Sequence, residues 1–225
     1  MAPASDTPDA DVETSLPEAT VARLPVYFRG LVELADEGTT TVSSQQLAEL
    51  AGVNAAKVRK DLSYLGSYGT RGVGYEVGFL VQQIGRILGS ADPAPVVIVG
   101  AGNLGKALSR YGGFGASGFP VAAIVDADPA VVGRKVAGIA VRHVDDLRTV
   151  VRDEGCLVGI VATPATAAQE AVDRLVDAGV RSILNFAPTI VIAPDDVGLR
   201  KVDLATELHI LGYYEHQRGA TRATG

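Results

Sequence analysis

At 225 residues, 47% of them hydrophobic, the chain is long enough for two small domains or one large one with a well-filled core. Twenty basic against 26 acidic residues leave a formal net charge of −6, which excludes a generic nucleic-acid coat but not a local basic face. A single cysteine, Cys156, excludes a disulfide framework within the chain and points to a reducing, cytoplasmic setting; no apolar run reaches the roughly 20 residues that span a bilayer.

Residues 1–15 are acidic and rich in Pro, Ala, Ser and Thr, without the basic and apolar regions of a signal peptide, and are expected to form a disordered tail. A helix is predicted over Val21 to Glu37, ending at Gly38. Ser43 begins a second, with Gln46 placed to reach back in a capping box, and Ala51-Gly52-Val53 forms a tight turn. Asn54 caps a third helix that runs to Leu65 and stops at Gly66. Ala48, Gly52 and Val58 fit a helix-turn-helix: a small residue at the helix contact, a glycine in the turn, an apolar plug in the second helix.

On that third helix Val58, Leu62 and Leu65 form the inward stripe, so Lys57, Arg59, Lys60, Ser63 and Tyr64 face solvent or a groove. Ser67 to Val77 follows as two strand-like arms around a Gly-rich tip carrying Arg71, which makes a basic wing. These six polar residues are the expected DNA contacts. The alternative is a helical oligomerisation module with a charged, solvated face.

Ser90 to Pro95 is polar and Pro-rich, a linker between residues 16–90 and a second domain over residues 91–203. In that domain β-branched runs alternate with amphipathic segments, as in a parallel α/β sheet. Val96 to Val99 leads into Gly100-Ala101-Gly102-Asn103-Leu104-Gly105 and then a helix, which is G-x-G-x-x-G in its required context. There Gly100 permits the turn, Gly102 lets backbone N–H groups approach a pyrophosphate, and Gly105 packs helix on strand. The next strand ends in Asp126, 21 positions after Gly105, where a carboxylate bonds ribose hydroxyls and repels a 2′-phosphate; the cofactor expected is NAD(H).

Strands are also predicted at Ile139 to Arg142, Leu157 to Val161 and Arg181 to Leu184. Two loops at strand ends, Ala162-Thr163-Pro164 and Asn185-Phe186-Ala187-Pro188, are expected to seat the nicotinamide half, with Thr163, Pro164, Asn185 and Phe186 as contacts. His143, His209 and His216 have no metal-ligand spacing and read as structural, and Cys156 reads as a small core residue. A last helix, residues 204–218, carries Leu204, Leu208, Leu211 and Tyr214 at helical spacing before a tail at 219–225. Its stripe is buried either on a partner subunit or on its own domain. With so little chain left for a substrate domain, a non-enzymatic sensor is favoured over a small NAD-dependent oxidoreductase; a nucleotide- or CoA-binding regulator is the third reading.

Three blocks, Arg59 to Gly66, Gly69 to Tyr75 and Leu184 to Pro188, together with Val202-Asp203-Leu204 and the closing Glu207-Leu208 helix, resemble the signature of the Rex family of redox-sensing repressors. The resemblance covers about Leu16 to Gln217. It implies an N-terminal winged-helix domain, a Rossmann-like domain and a C-terminal dimerisation helix exchanged between subunits. It also implies a homodimer on a palindromic operator, released by NADH, with Tyr111 and Asp203 contributing to the closed form. Asn103 stands where some family members carry Arg, so the resemblance does not carry over any charge pair made through that Arg. An apolar seat near Phe186, Ala187 and Pro188 would favour the neutral reduced ring over the cationic oxidised one.

Overall fold

The computed structural model describes residues 16–67, 69, 70, 72–89 and 92–223, and it divides after residue 91 into two compact units. The expected tail at 1–15 and the wing-tip Arg71 lie outside the described residues.

The first unit contains α1 (Glu18–Val21), α2 (Leu24–Asp36), β1 (Thr41–Val42), α3 (Ser44–Ala51), α4 (Ala55–Ser63), β2 (Tyr75–Glu76) and α5 (Val77–Ile87). Where one helix is predicted from Val21, the structure has two, because Pro25 lacks an N–H and fits only the first turn of a new helix. The caps follow the residues that announce them. Ser43 Oγ accepts from Gln46 N at 3.1 Å while Gln46 Oε1 accepts from Ser43 N at 2.9 Å, and Asn54 Oδ1 accepts from Lys57 N at 2.9 Å. Gly52, at φ +64°, makes the left-handed turn between α3 and α4. Leu24, Tyr27, Leu31, Leu47, Val58, Leu62, Leu80 and Ile84 form the buried core.

The wing departs from expectation. Beyond its contact with the first arm, its second arm also pairs with β1, antiparallel, in the register Val42↔Tyr75 and Thr41↔Glu76. Between the two arms the described residues show a single bridge, Thr70↔Gly74. Val42 and Tyr75 are both buried, so joining β1 places two apolar side chains in the core.

The second unit contains β3 (Val96–Val99), α6 (Asn103–Ser109), α7 (Gly112–Ala116), β4 (Val121–Asp126), β5 (Lys135–Val136), β6 (Ile139–His143), a 3-10 turn (Val144–Asp146) and α8 (Leu147–Asp153). It continues with β7 (Val158–Val161), α9 (Ala165–Asp177), β8 (Ser182–Asn185), β9 (Gly198–Lys201) and α10 (Leu204–Ala223). Among the described residues its sheet has seven strands in the order β5-β6-β4-β3-β7-β8-β9, with β5 antiparallel and every other pairing parallel.

Val97 and Val99 face one core, Val96 and Ile98 the other, which is why β3 reads as an unbroken apolar run. Chain order proceeds from β3 to β4 and β6 on one side, then crosses to β7, β8 and β9 on the other. The switch point of this doubly wound sheet therefore lies beyond the carboxyl ends of β3 and β7. The last helix runs to Ala223, past the expected end at Arg218, and Leu204, Leu208, Leu211 and Tyr214 are all more than half exposed in the single chain.

Candidate functional site

Gly100 closes β3 at φ +107°, a backbone state that side chains rarely adopt; a Cβ there would also lie 2.5 Å from the carbonyl oxygen of Ala162 at the end of β7. Gly105 packs the start of α6 so closely on the turn that a Cβ would collide with the Gly100 carbonyl. At Gly102, the N-cap of α6, a Cβ would meet nothing within 4 Å. The first and third glycines serve the fold. The second faces open space, which is the room a pyrophosphate needs.

Asp126 ends β4 beside this turn. Its Oδ2 accepts from Ala101 N at 2.6 Å and its Oδ1 from Asp128 N at 2.8 Å. A carboxylate has about four acceptor positions, so two remain for ribose hydroxyls. Across the switch point Thr163 Oγ1 is buried without a hydrogen-bond partner among the described residues. A buried hydroxyl left unpaired costs about 1–3 kcal/mol, and a polar ligand in the cavity would remove that cost.

Gly100, Gly102, Asp126, Thr163 and Pro164 line one cavity of about 410 Å³. Of the other expected contacts, Ala101 is buried with Val96 and Ile98, while Asn103 and Leu104 are exposed on the opening turn of α6. Asn185 and Phe186 are not in the lining. Asn185, 1% exposed, uses its amide within its own loop: Oδ1 accepts from Ala187 N at 2.8 Å and Nδ2 donates to Thr189 O at 3.3 Å. Phe186 is half-buried and packs against the core that holds Val96 and Ile98.

The cavity also takes Val144, Ala167, Glu170, Ala171 and Arg174, which sequence reasoning did not single out. Their signal was faint: positions 167, 170, 171 and 174 form one helical face that starts just after Thr163-Pro164. Arg174 is tied on that face to Asp145 at 2.8 Å and to Glu170 at 2.9 Å.

Tyr111 is 60% exposed, its ring edge-on to Phe114 at 5.0 Å. Asp203 caps α10, accepting from Thr206 N at 3.1 Å, and pairs with Lys201 at 2.8 Å; Lys201 and then Thr206 hold its carboxyl down at about 2. Cys156 lies in the core, and burial, then the charge of Glu154, pushes its thiol up to about 11. His143 accepts from Asp145 N at 3.3 Å, and among the described residues no three His, Cys, Asp or Glu side chains are grouped to hold a metal ion. No helix among the described residues is long and apolar enough to cross a membrane.

In the first unit α4 exposes Lys57, Arg59, Lys60 and Tyr64, with Ser63 half-buried and donating to Lys60 O at 2.7 Å. Arg59 donates to Ser44 Oγ at 3.0 Å. Asp61, on the same helix, is buried and paired with Arg23 at 2.6 Å, so its charge is already balanced from beneath.

A helix-turn-helix with an outward basic face, joined to a doubly wound sheet with a nucleotide cradle at its switch point, defines the class: a ligand-responsive transcription regulator. A family model described as "CoA binding domain" matches residues 91–189, and one described as "Putative DNA-binding protein N-terminus" matches residues 15–63. The chain is 58% identical to the redox-sensing transcriptional repressor Rex of Streptomyces coelicolor, over 92% of this chain and 81% of that protein. It superposes on RSP, a Rex-family repressor crystallised with β-NAD+ and operator DNA, with a TM-score of 0.85 and 35% identity over 94% of this chain and 97% of that one. The RSP complex with β-NADH gives a TM-score of 0.81 at 33% identity, over 95% of this chain and all of that one. The chain belongs to the Rex family of redox-sensing transcriptional repressors.

Proposed function

We propose that this protein represses transcription by binding a palindromic operator as a homodimer and releases it when NADH binds, so that expression follows the NADH/NAD+ ratio. The observation that carries this reading is the cavity at the switch point, where an open Gly102, the carboxylate of Asp126 and a Thr163 hydroxyl without a partner among the described residues face one volume. Backbone N–H groups at Gly102 to Leu104 would hold the pyrophosphate at the N-terminus of α6. Asp126 would hold the adenosine ribose, and the Thr163-Pro164 loop would flank the chain of the dinucleotide.

When bound, the cofactor supplies a difference in charge: its oxidised ring is cationic and its reduced ring neutral. The loop after β8 is where this chain would distinguish them. Asn185 folds that loop on itself, which places Ala187 in the core and Phe186 half-buried, an apolar setting in which an unpaired cation is costly. A hundredfold preference needs only about 2.7 kcal/mol. Asn185 and Phe186, expected from the sequence as direct contacts, would thus shape a seat.

Lys57, Arg59, Lys60, Ser63, Tyr64 and Arg71 would contact the operator. Tyr111 and Asp203 would stabilise the NADH-bound form, and the apolar stripe of α10 would be exchanged with a second copy. Sedimentation at micromolar concentration should give a dimer; a monomer would remove the palindrome from the account. The protein regulates without turning its cofactor over, consistent with relatives named as repressors, and works in the cytoplasm beside the DNA it controls.

A CoA-type ligand is the second reading, favoured by the family model over residues 91–189. Asp126 and Asp128 at the cavity oppose it, since carboxylates repel the extra phosphate on CoA and on NADPH. Calorimetric titration with NADH, NAD+, NADPH and CoA, with NADH absorbance followed alongside, decides between them. NADH should bind most tightly and remain unconsumed. Tighter binding of CoA, or steady loss of NADH, would overturn the proposal.

A further inference from the structure

Asp61 lies in the middle of the exposed basic residues of α4, yet it is 1% exposed and accepts four hydrogen bonds from the segment that holds α1 and α2. Arg23 grips both oxygens, Nε to Oδ2 at 2.6 Å and Nη2 to Oδ1 at 2.7 Å. The Tyr27 hydroxyl donates to Oδ2 at 2.8 Å and the Thr20 hydroxyl to Oδ1 at 2.9 Å. Every donor comes from the segment of α1 and α2, remote in sequence, and the acceptor is one residue from Lys60 and two from Arg59.

A buried ion pair is a poor source of stability, because apolar side chains of similar volume commonly do as well or better. Its distinctive property is direction. A two-point guanidinium–carboxylate contact fixes angle as well as distance, whereas apolar packing tolerates small rotations and slides. Successive residues on a helix are about 100° apart. Any roll of α4 that tilts Arg59 and Lys60 must therefore also pull Asp61 out of its four bonds.

We propose that Asp61, held by Arg23, Tyr27 and Thr20, is a positioning residue for operator recognition: it fixes the roll of α4 so that Arg59 and Lys60 meet base edges and not only phosphates. This rests on the reading of α4 as the DNA-reading helix. The clamp sets discrimination between sequences more than overall affinity, because phosphate attraction survives a small rotation and base-edge geometry does not.

The test separates positioning from simple stabilisation. One variant replaces the clamp with apolar groups, Asp61→Leu with Arg23→Met and Tyr27→Phe; a second, Arg23→Lys, keeps the charge and loses the fork. A palindromic duplex selected by the parent protein from a random library is compared with a scrambled duplex of the same composition, and thermal melting and NADH affinity are recorded for each variant. The apolar variant should melt near the parent and bind NADH normally while losing about tenfold or more of its preference for the selected duplex, with scrambled-duplex binding retained. Arg23→Lys should remain folded and lose part of that preference. If the apolar variant is folded and discriminates like the parent, or if it fails to fold and Arg23→Lys discriminates like the parent, the clamp is structural only and the proposal falls. A parent that selects no duplex would overturn the DNA-reading proposal itself.

Discussion

Gly102 and Asp126 are where the cofactor reading meets single atoms. Gly102 has φ −70° and nothing near its missing Cβ, so Gly102→Ala should fold without strain while placing a methyl group where phosphate is expected. The variant should bind operator like the parent and lose its response to NADH, as read by fluorescence anisotropy of a labelled duplex; an unchanged response would mean the turn does not hold phosphates. Asp126→Ala should weaken NADH by about 1–3 kcal/mol, the scale of hydrogen bonds to a charged group, and narrow the preference over NADPH. Calorimetry on parent and variant checks this, and a parent that binds both cofactors equally would contradict it. Both residues were legible in the sequence because spacing alone places a glycine at a turn and a carboxylate at the next strand end. The bond from Ala101 N to Asp126 was not, since no pattern encodes which side chain meets which loop across 25 positions. Nor was Asn185 readable as a loop former: its type and its place at a strand end suit a ligand contact equally well.

Among the elements, α4 is the one proposed to read DNA. Arg59→Ala and Lys60→Ala remove exposed side chains, so stability should hold while operator affinity falls. Where the lost contact is to phosphate, the slope of log affinity against log salt should decrease by about one; parent-like binding by both variants would mean another element reads DNA. The clamp beneath this helix makes an acid-stability prediction. Burial pushes the Asp61 carboxyl up, but bonds from Arg23, Tyr27 and Thr20 outweigh it and hold the group below the usual carboxylate range.

In the unfolded chain the carboxyl titrates near pH ~4, so the stabilisation is complete above that pH and drains away as pH falls through the folded value. The melting-temperature advantage of the parent over Asp61→Asn should shrink steadily below about pH 4. An advantage constant through acid would mean that the carboxyl is not ionised in the fold. The caps at Ser43 and Asn54 were legible because capping is local. The pairing of β1 with β2 was not: two-residue strands separated by two helices leave no periodicity to read. The short edge strands β5 and β9 escaped for a related reason, having few buried side chains to alternate.

For the whole molecule, the sequence showed two units and a terminal apolar helix, because a Pro-rich seam and a change from helical to βα patterning are long-range features of composition. What covers α10 could not be read from one chain, since a stripe looks the same whether it meets its own domain or a second copy. In the structure that stripe stands exposed, with Leu208 at 68% accessibility, and exchange between subunits is the proposal that buries it. In the proposed function, a single chain couples operator occupancy to the redox state of one cofactor. Operator binding by the protein at a fixed total concentration of NAD+ plus NADH, with their ratio varied, tests this coupling. A near-complete switch between bound and free requires about 5.5 kcal/mol of differential cofactor affinity for the two forms, which two sites in a dimer can share. Occupancy should stay high with NAD+ alone and fall steeply as the NADH fraction rises; occupancy that ignores the ratio would contradict the account.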